Sequence, residues 1–196
     1  ADGMSAIASA GNGITISGGA VGNQIGGSGT AGNVISGFGN IGIEVTFGSH
    51  GNAIQGNLLG VNATASGVLA SGAVGITLNG VSNTLIGGSA AGEGNTFGGF
   101  ANTAIWILGG GASISVQGNF FGTDATQTAS YANGTAVDIW NATSSTIGGT
   151  SAGAGNVIAN STGSAIKVLS PSTGISILGN SISLNTGLGI DLSADG

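Results

Sequence analysis

The feature that most constrains this chain is a series of six asparagines, each followed two residues later by a large apolar residue. They are Asn33, Asn57, Asn95, Asn119, Asn156 and Asn180, separated by 24, 38, 24, 37 and 24 residues. A repeated spacing of this length is typical of a solenoid, in which every coil stacks on the one before it. Because stacked strands lie about 4.8 Å apart, equivalent asparagines would hydrogen-bond to one another through their amides. The spacing therefore predicts an internal asparagine ladder.

Two further series of apolar residues predict the strands of each coil. The first forms apolar–x–apolar triplets, which begin at Ile14, Ile43, Ile76, Ile105, Val137 and Ile166. Two inward positions separated by one outward position indicate a strand with one buried face. The second series lies between each triplet and the next ladder asparagine, and consists of Ile25, Ile54, Ile86, Val116, Ile147 and Ile177. Each coil is therefore expected to contain three short strands.

The alternation of the spacings indicates that the repeating unit is a pair of coils. In one coil type a glycine-rich insertion precedes the ladder asparagine, at residues 26–32, 87–94 and 148–155, whereas in the other a single glycine precedes it. The 43 glycines among 196 residues suit turns with positive φ, and the apolar series supply a core that disordered glycine-rich chains lack. We predict one all-β solenoid domain over residues 1–196, with about six coils in three repeats at about 12–73, 74–134 and 135–192.

Three stretches of the chain carry a family resemblance. They are residues 117–124 (QGNFFGTD), 153–158 (GAGNVI) and 185–192 (NTGLGIDL). They resemble repeats of secreted bacterial right-handed parallel β-helix proteins, the pectate-lyase-like superfamily with its adhesin-like and uncharacterised members. The resemblance covers nearly the whole chain and implies a right-handed parallel β-helix in a secreted or cell-surface protein. It leaves the function open, because the family contains lyases, hydrolases and epimerases as well as adhesin-like proteins.

The charged residues are too few for most catalytic sites. The chain has one lysine, no arginine, one histidine (His50, expected in a solvated loop) and seven acidic residues. Pectate-lyase-like enzymes combine acids that hold calcium with a basic residue, so the lack of arginine argues against β-elimination. Glycoside hydrolysis needs two carboxylates about 5–9.5 Å apart, but Glu44 and Asp138 would lie three coils, or about 14 Å, apart. We predict no catalytic residue, no metal site and no cofactor.

Asp138 and Asp191 would lie closer together, with Lys167 between them in one outward column. A cation between two carboxylates favours their ionised forms, whereas a general acid needs a raised pKa. We therefore interpret these three residues as a charge ladder across stacked strands. Asp124, in the loop after Gly122, provides one carboxylate for calcium, which is too few for the six to eight oxygens that this ion takes.

Two tryptophans are the best candidates for ligand binding. Trp106 and Trp140 should point outward from neighbouring coils, close to Asp138. Exposed aromatic rings stack on sugars, and a carboxylate accepts hydrogen bonds from sugar hydroxyls. This arrangement supports an alternative function as a carbohydrate-binding or polysaccharide-cleaving β-helix. The competing interpretation is that the tryptophans cover apolar surface or contact a neighbouring chain.

A second outward column follows the ladder asparagines. It includes four apolar residues, Val34, Leu58, Phe120 and Val157. This apolar stripe suits a partner surface, or it is covered by the loops at 61–74 and 123–136.

The two ends of the chain lack an obvious cap. Residues around Ile7 look like the third strand of a preceding coil, and Ile190 and Leu192 look like the first strand of a following one. Solenoids normally end in capping units that cover the core and the strand edges. The chain is therefore expected to be either part of a longer solenoid or a subunit that stacks end to end.

The leading functional prediction is a non-enzymatic structural module, secreted or exposed on a cell surface. It would assemble head to tail into filaments, or form a rod segment of an adhesin. The net charge of −6 argues against a nucleic-acid partner. No apolar run approaches the roughly 20 residues of a membrane span, so membrane insertion is not expected.

Overall fold

The computed structural model describes residues 3–5, 8–69 and 71–192. These residues form a parallel β-solenoid with three principal sheets, which confirms the predicted fold. The first sheet contains, in spatial order, β1 (Ile14–Ile16), β4 (Ile41–Thr46), β7 (Val74–Asn79), β10 (Thr103–Leu108), β14 (Thr135–Trp140), β18 (Ile166–Leu169) and β21 (Ile190–Asp191). Every predicted triplet lies in one of these strands.

The second and third sheets have six strands each. The second contains β2 (Gln24–Gly26), β5 (Ala53–Gln55), β8 (Leu85–Gly87), β12 (Ser115–Gln117), β16 (Thr146–Gly148) and β19 (Ser176–Leu178). The third contains β3 (Val34–Ile35), β6 (Leu58–Leu59), β9 (Thr96–Phe97), β13 (Phe120–Phe121), β17 (Val157–Ala159) and β20 (Ser181–Ser183). Each coil thus contributes one strand to each sheet, as predicted.

A fourth, two-stranded sheet was not predicted. It pairs β11 (Gly111–Ala112) with β15 (Ala142–Thr143) in the turn between the first and second sheets. Isolated bridges extend the same row through His50 and Ser82 to Val21. His50 is exposed in a loop, as expected. Its backbone also pairs with the coils on both sides, through the bridges to Val21 and Ser82. A 3₁₀ turn at Gly29–Ala31 is the only helical element among the described residues. None of the described residues belongs to a helix that is long and apolar enough to cross a membrane.

The core consists of the stacked apolar columns. In the first sheet the register aligns Ile43, Ile76, Ile105, Val137 and Ile166 in one row, and all five are fully buried. Aromatic rings stack in the same manner: the centroids of Phe97 and Phe121 are 4.8 Å apart, with 9° between their planes. In-register stacking of like residues therefore builds the interior from continuous apolar columns.

The asparagine ladder is present and continuous. In each of its five steps the backbone N–H and Nδ2 of one asparagine both donate to Oδ1 of the asparagine in the next coil, at 2.8–3.0 Å. The second Nδ2 hydrogen bonds a strand carbonyl of the preceding coil, as from Asn119 to Ile86 at 3.0 Å. Asn57, Asn95, Asn119 and Asn156 are at most 1% exposed, so these bonds satisfy groups that water cannot reach.

The glycine-rich insertions explain why the two coil types alternate. The second and third insertions each fold over the tight turn of the coil before them: Gly56 N–H donates to the Glu93 carbonyl at 2.8 Å, and Gly118 N–H donates to the Ala154 carbonyl at 3.0 Å. Gly56 has φ of 65°, and a Cβ there would overlap the carbonyl oxygen of Gly27. A long turn and a glycine-only tight turn therefore stabilise each other in pairs.

Two loops leave the third sheet and pack on one another. In the first, Asn62 Oδ1 accepts the Ser66 N–H at 2.9 Å; in the second, Asp124 Oδ1 accepts the Thr128 N–H at 2.9 Å. The Tyr131 hydroxyl of the second loop donates to the Ala65 carbonyl of the first. The hydrogen bond from the Thr126 hydroxyl lowers the pKa of Asp124. The loops are therefore ordered by equivalent side-chain caps.

Candidate functional site

Two of the three predicted ligand-binding residues, Trp106 and Asp138, lie at a pocket on the outward face of the first sheet. Its volume is about 200 Å³, and it is lined by Val74, Asn102, Thr103, Trp106, Thr135, Asp138 and Lys167. Strands β10, β14 and β18 pair in register, which places Trp106, Asp138 and Lys167 side by side on neighbouring strands. The first residues of β7, β10 and β14 pair likewise and form the other wall.

Asp138 has a polar atom in the pocket that the described part of the fold leaves unsatisfied. Its Oδ1 is buried and has no hydrogen-bond partner among the described residues. Burial raises the pKa of Asp138, and the positive charge of Lys167 lowers it by a smaller amount. The register of the predicted charge ladder is correct, since Lys167 pairs with both Asp138 and Asp191. Lys167 thus favours the ionised form of Asp138, as expected, but desolvation outweighs this effect and the net shift of the pKa is upward.

The two tryptophans occupy different surroundings. Trp106 is 37% exposed and lines the pocket, whereas Trp140 is 46% exposed, pairs with Leu169 and lies outside it. The structure thus brings Trp106 together with Asp138 and leaves Trp140 at the end of the next strand. The carbohydrate-binding interpretation of these three residues stays a prediction.

Several residues of the site were missed by the sequence analysis. Asn102, Thr103 and Thr135 sit where the chain enters a strand, ahead of the inward triplets. A usable signal was the Thr-Ala pair that precedes both Ile105 and Val137. Thr77, which pairs with Trp106 on its other side, is also buried, and its Oγ1 has no hydrogen-bond partner within the part of the chain that the structure describes.

The second predicted surface, the apolar stripe, is partly covered. Its residues form one in-register row, in which Val34 is exposed while Leu58, Phe120 and Val157 are half-buried. A pocket of about 460 Å³ beside Phe120 is lined mainly by the glycine-rich insertion at 88–94 and also by Ala125. Insertion and loop thus flank the stripe, and its role as a partner surface stays a prediction.

The last coil has the most exposed apolar surface. Leu178, Leu184, Leu188, Ile190 and Leu192 are all exposed large apolar residues. Ile190 and Leu192 were predicted as an assembly edge; the third predicted edge residue, Ile7, lies outside the described residues. Throughout the described part of the chain, no group of three or more histidine, aspartate or glutamate residues is placed to hold a metal ion.

Comparisons of the chain with protein-family models, with curated proteins and with solved structures found no match. The β-solenoid and its ladder are therefore shown by the structure alone. The assignment to a family of secreted bacterial β-helix proteins stays a prediction.

Proposed function

We propose that this chain is a non-enzymatic structural module, secreted or displayed at a cell surface, that associates end to end through its last coil. The observation that carries the proposal is the exposure of core-type residues in that coil. Ile190 continues the buried column of the first sheet, yet it is 43% exposed whereas its register partner Ile166 is 0% exposed. The difference arises because a further coil covers Ile166 and none of the described residues covers Ile190.

Strand pairing supports a β-solenoid coil as the covering group. Strands β19, β20 and β21 are the last members of their sheets, and β1, β2 and β3 are the first. Edge strands bind other strands through their free N–H and C=O groups. In solutions of this chain, a second copy supplies such edges. The resulting contact joins two different surfaces, so it repeats and produces filaments.

The asparagine ladder gives the association a direction. Every hydrogen bond of the ladder is donated by one asparagine to the asparagine of the following coil, so Asn180 accepts from Asn156. A coil added beyond Asn180 therefore meets hydrogen-bond donors, and a coil added before Asn33 meets an acceptor. Head-to-tail contacts match donors with acceptors, whereas two last coils placed face to face would oppose donors.

The charged residues also support a structural role. Glu44 and Asp138 are separated in register by Thr77 and Trp106 on the two intervening strands. A pair of carboxylates for glycoside hydrolysis is closer than three strand spacings. We therefore assign no catalytic step to this face.

Sedimentation velocity over a range of protein concentrations tests the proposal. The unmodified chain should sediment faster as concentration rises, and the double variant Ile190→Lys with Leu192→Pro should remain monomeric, because charge and proline block an edge strand. Phe47→Lys is the matched control, since it adds the same charge at an exposed site in the second coil. The proposal would be contradicted if the unmodified chain sedimented as a monomer at every concentration while its circular dichroism spectrum showed a folded β structure.

A further inference from the structure

The pocket on the first sheet contains several polar groups that the fold does not use. Asp138 Oδ1 is buried without a donor. Within the described chain, the side chains of Asn102, Thr135 and Lys167 also take part in no hydrogen bond or ion pair. Buried polar groups in folded proteins normally have partners, so an unsatisfied carboxylate oxygen beside a pocket indicates a missing ligand group.

The two charges of the pocket specify complementary ligand groups. An ionised carboxylate only accepts hydrogen bonds, whereas an ammonium only donates them. Asp138 therefore needs a donor, and Lys167, on the adjacent strand, needs an acceptor. Together the two side chains carry no net charge, so a ligand with a single charge would be attracted by one of them and repelled by the other.

We propose that this pocket binds a small zwitterion of the α-amino-acid class, whose ammonium donates to Asp138 and whose carboxylate accepts from Lys167. The volume of about 200 Å³ is below the roughly 300 Å³ at which drug-sized sites begin, so the ligand is small. Trp106 supplies an indole wall next to Asp138, and aromatic faces attract ammonium groups. The Asn102 amide and the Thr135 hydroxyl offer further hydrogen bonds to the carboxylate.

Burial of Asp138 agrees with this assignment. Desolvation without a partner raises the pKa of this carboxyl. A bound ammonium would supply both the opposite charge and the missing donor, and would lower that pKa again. A neutral sugar offers hydroxyl groups only, so it brings no cationic donor to Asp138 and no anionic acceptor to Lys167.

Fluorescence titration of the Trp140→Phe variant tests the proposal directly. The chain has two tryptophans, so this variant leaves Trp106 as the single reporter, and Trp140 lies outside the pocket. L-alanine should change the Trp106 emission with a saturable dependence on concentration. Three matched ligands each lack one required group: lactate has no ammonium, ethylamine has no carboxylate, and trimethylglycine has no N–H donor. Each should bind at least about tenfold more weakly, because a charge-assisted hydrogen bond contributes about 1.5–3 kcal/mol.

Substitutions in the pocket provide the second arm of the test. Asp138→Asn and Lys167→Gln, each in the Trp140→Phe background, should weaken L-alanine binding at least about tenfold while circular dichroism stays unchanged. Phe47→Lys, as the control, should leave L-alanine binding unchanged. The proposal is overturned if L-alanine gives no saturable signal, if both pocket variants retain full affinity, or if glucose binds at this pocket and L-alanine does not. None of these outcomes depends on end-to-end association.

Discussion

Removal of the Asn119 side chain would break the ladder at its centre. Its Nδ2 donates to Oδ1 of Asn156 at 3.0 Å and to the Ile86 carbonyl at 3.0 Å, and its Oδ1 accepts from both the backbone N–H and Nδ2 of Asn95 at 2.9–3.0 Å. Asn119→Ala therefore leaves a buried backbone N–H and a buried carbonyl without these partners. At about 1–3 kcal/mol for each of these two unsatisfied groups, we expect the free energy of unfolding to fall by about 2–6 kcal/mol.

Asn33→Ala is the matched control for this experiment. Asn33 is exposed and donates to Asn57, but it accepts from no asparagine among the described residues. Its loss should lower the free energy of unfolding by less than about 1.5 kcal/mol. Urea denaturation followed by circular dichroism gives both values under the same conditions. Equal destabilisation by the two substitutions, within about 0.5 kcal/mol, would refute the claim that buried ladder bonds stabilise the coil stack.

Three further predictions concern individual residues. The pKa of Asp138 is raised in the folded chain, so its ionisation opposes folding above the unfolded pKa of about 3.9. Asp138→Asn should therefore raise the melting temperature at pH 7, and the gain should shrink as pH falls to 4; a gain that grows on acidification would contradict this sign. Gly118→Ala should destabilise more than Gly110→Ala by about 1 kcal/mol or more, because both have positive φ but only Gly118 lies against backbone, the Gly88 carbonyl. Equal losses of stability in the two variants would show that the positive φ alone, and not the contact with backbone, determines the destabilisation. Phe121→Ala should lower the free energy of unfolding by about 3–5 kcal/mol, since it removes a buried ring stacked on Phe97; a loss below about 1 kcal/mol would exclude a tightly packed aromatic column.

The fold was predictable because its information is periodic. Equivalent residues such as Asn119 and Asn156 recur at fixed intervals, and parallel in-register stacking converts each interval directly into a contact. The short strands β11 and β15 were not predictable, because they consist of glycine, alanine and threonine with no apolar alternation. The hydrogen bond from the Gly56 N–H to the Glu93 carbonyl was not predicted for a different reason. It depends on where the long insertion at 87–94 folds back onto the preceding coil.

The candidate site was only partly predictable. The outward column correctly placed Trp106 beside Asp138 and Asp138 beside Lys167. The direction of the pKa shift of Asp138 was not predictable, because burial depends on how neighbouring side chains cover the carboxyl group. Asn102 joins the pocket through the path of the chain at a corner, which strand periodicity does not describe.

Electron microscopy combined with X-ray fibre diffraction of the purified chain tests end-to-end association most directly. Head-to-tail stacking predicts filaments one solenoid wide, with a reflection at about 4.8 Å along the filament axis, because the coils stack in that direction. The double variant Ile190→Lys with Leu192→Pro should give short particles instead. Isolated rods about 30 Å long from the unmodified chain, the height of about six coils, would contradict the account.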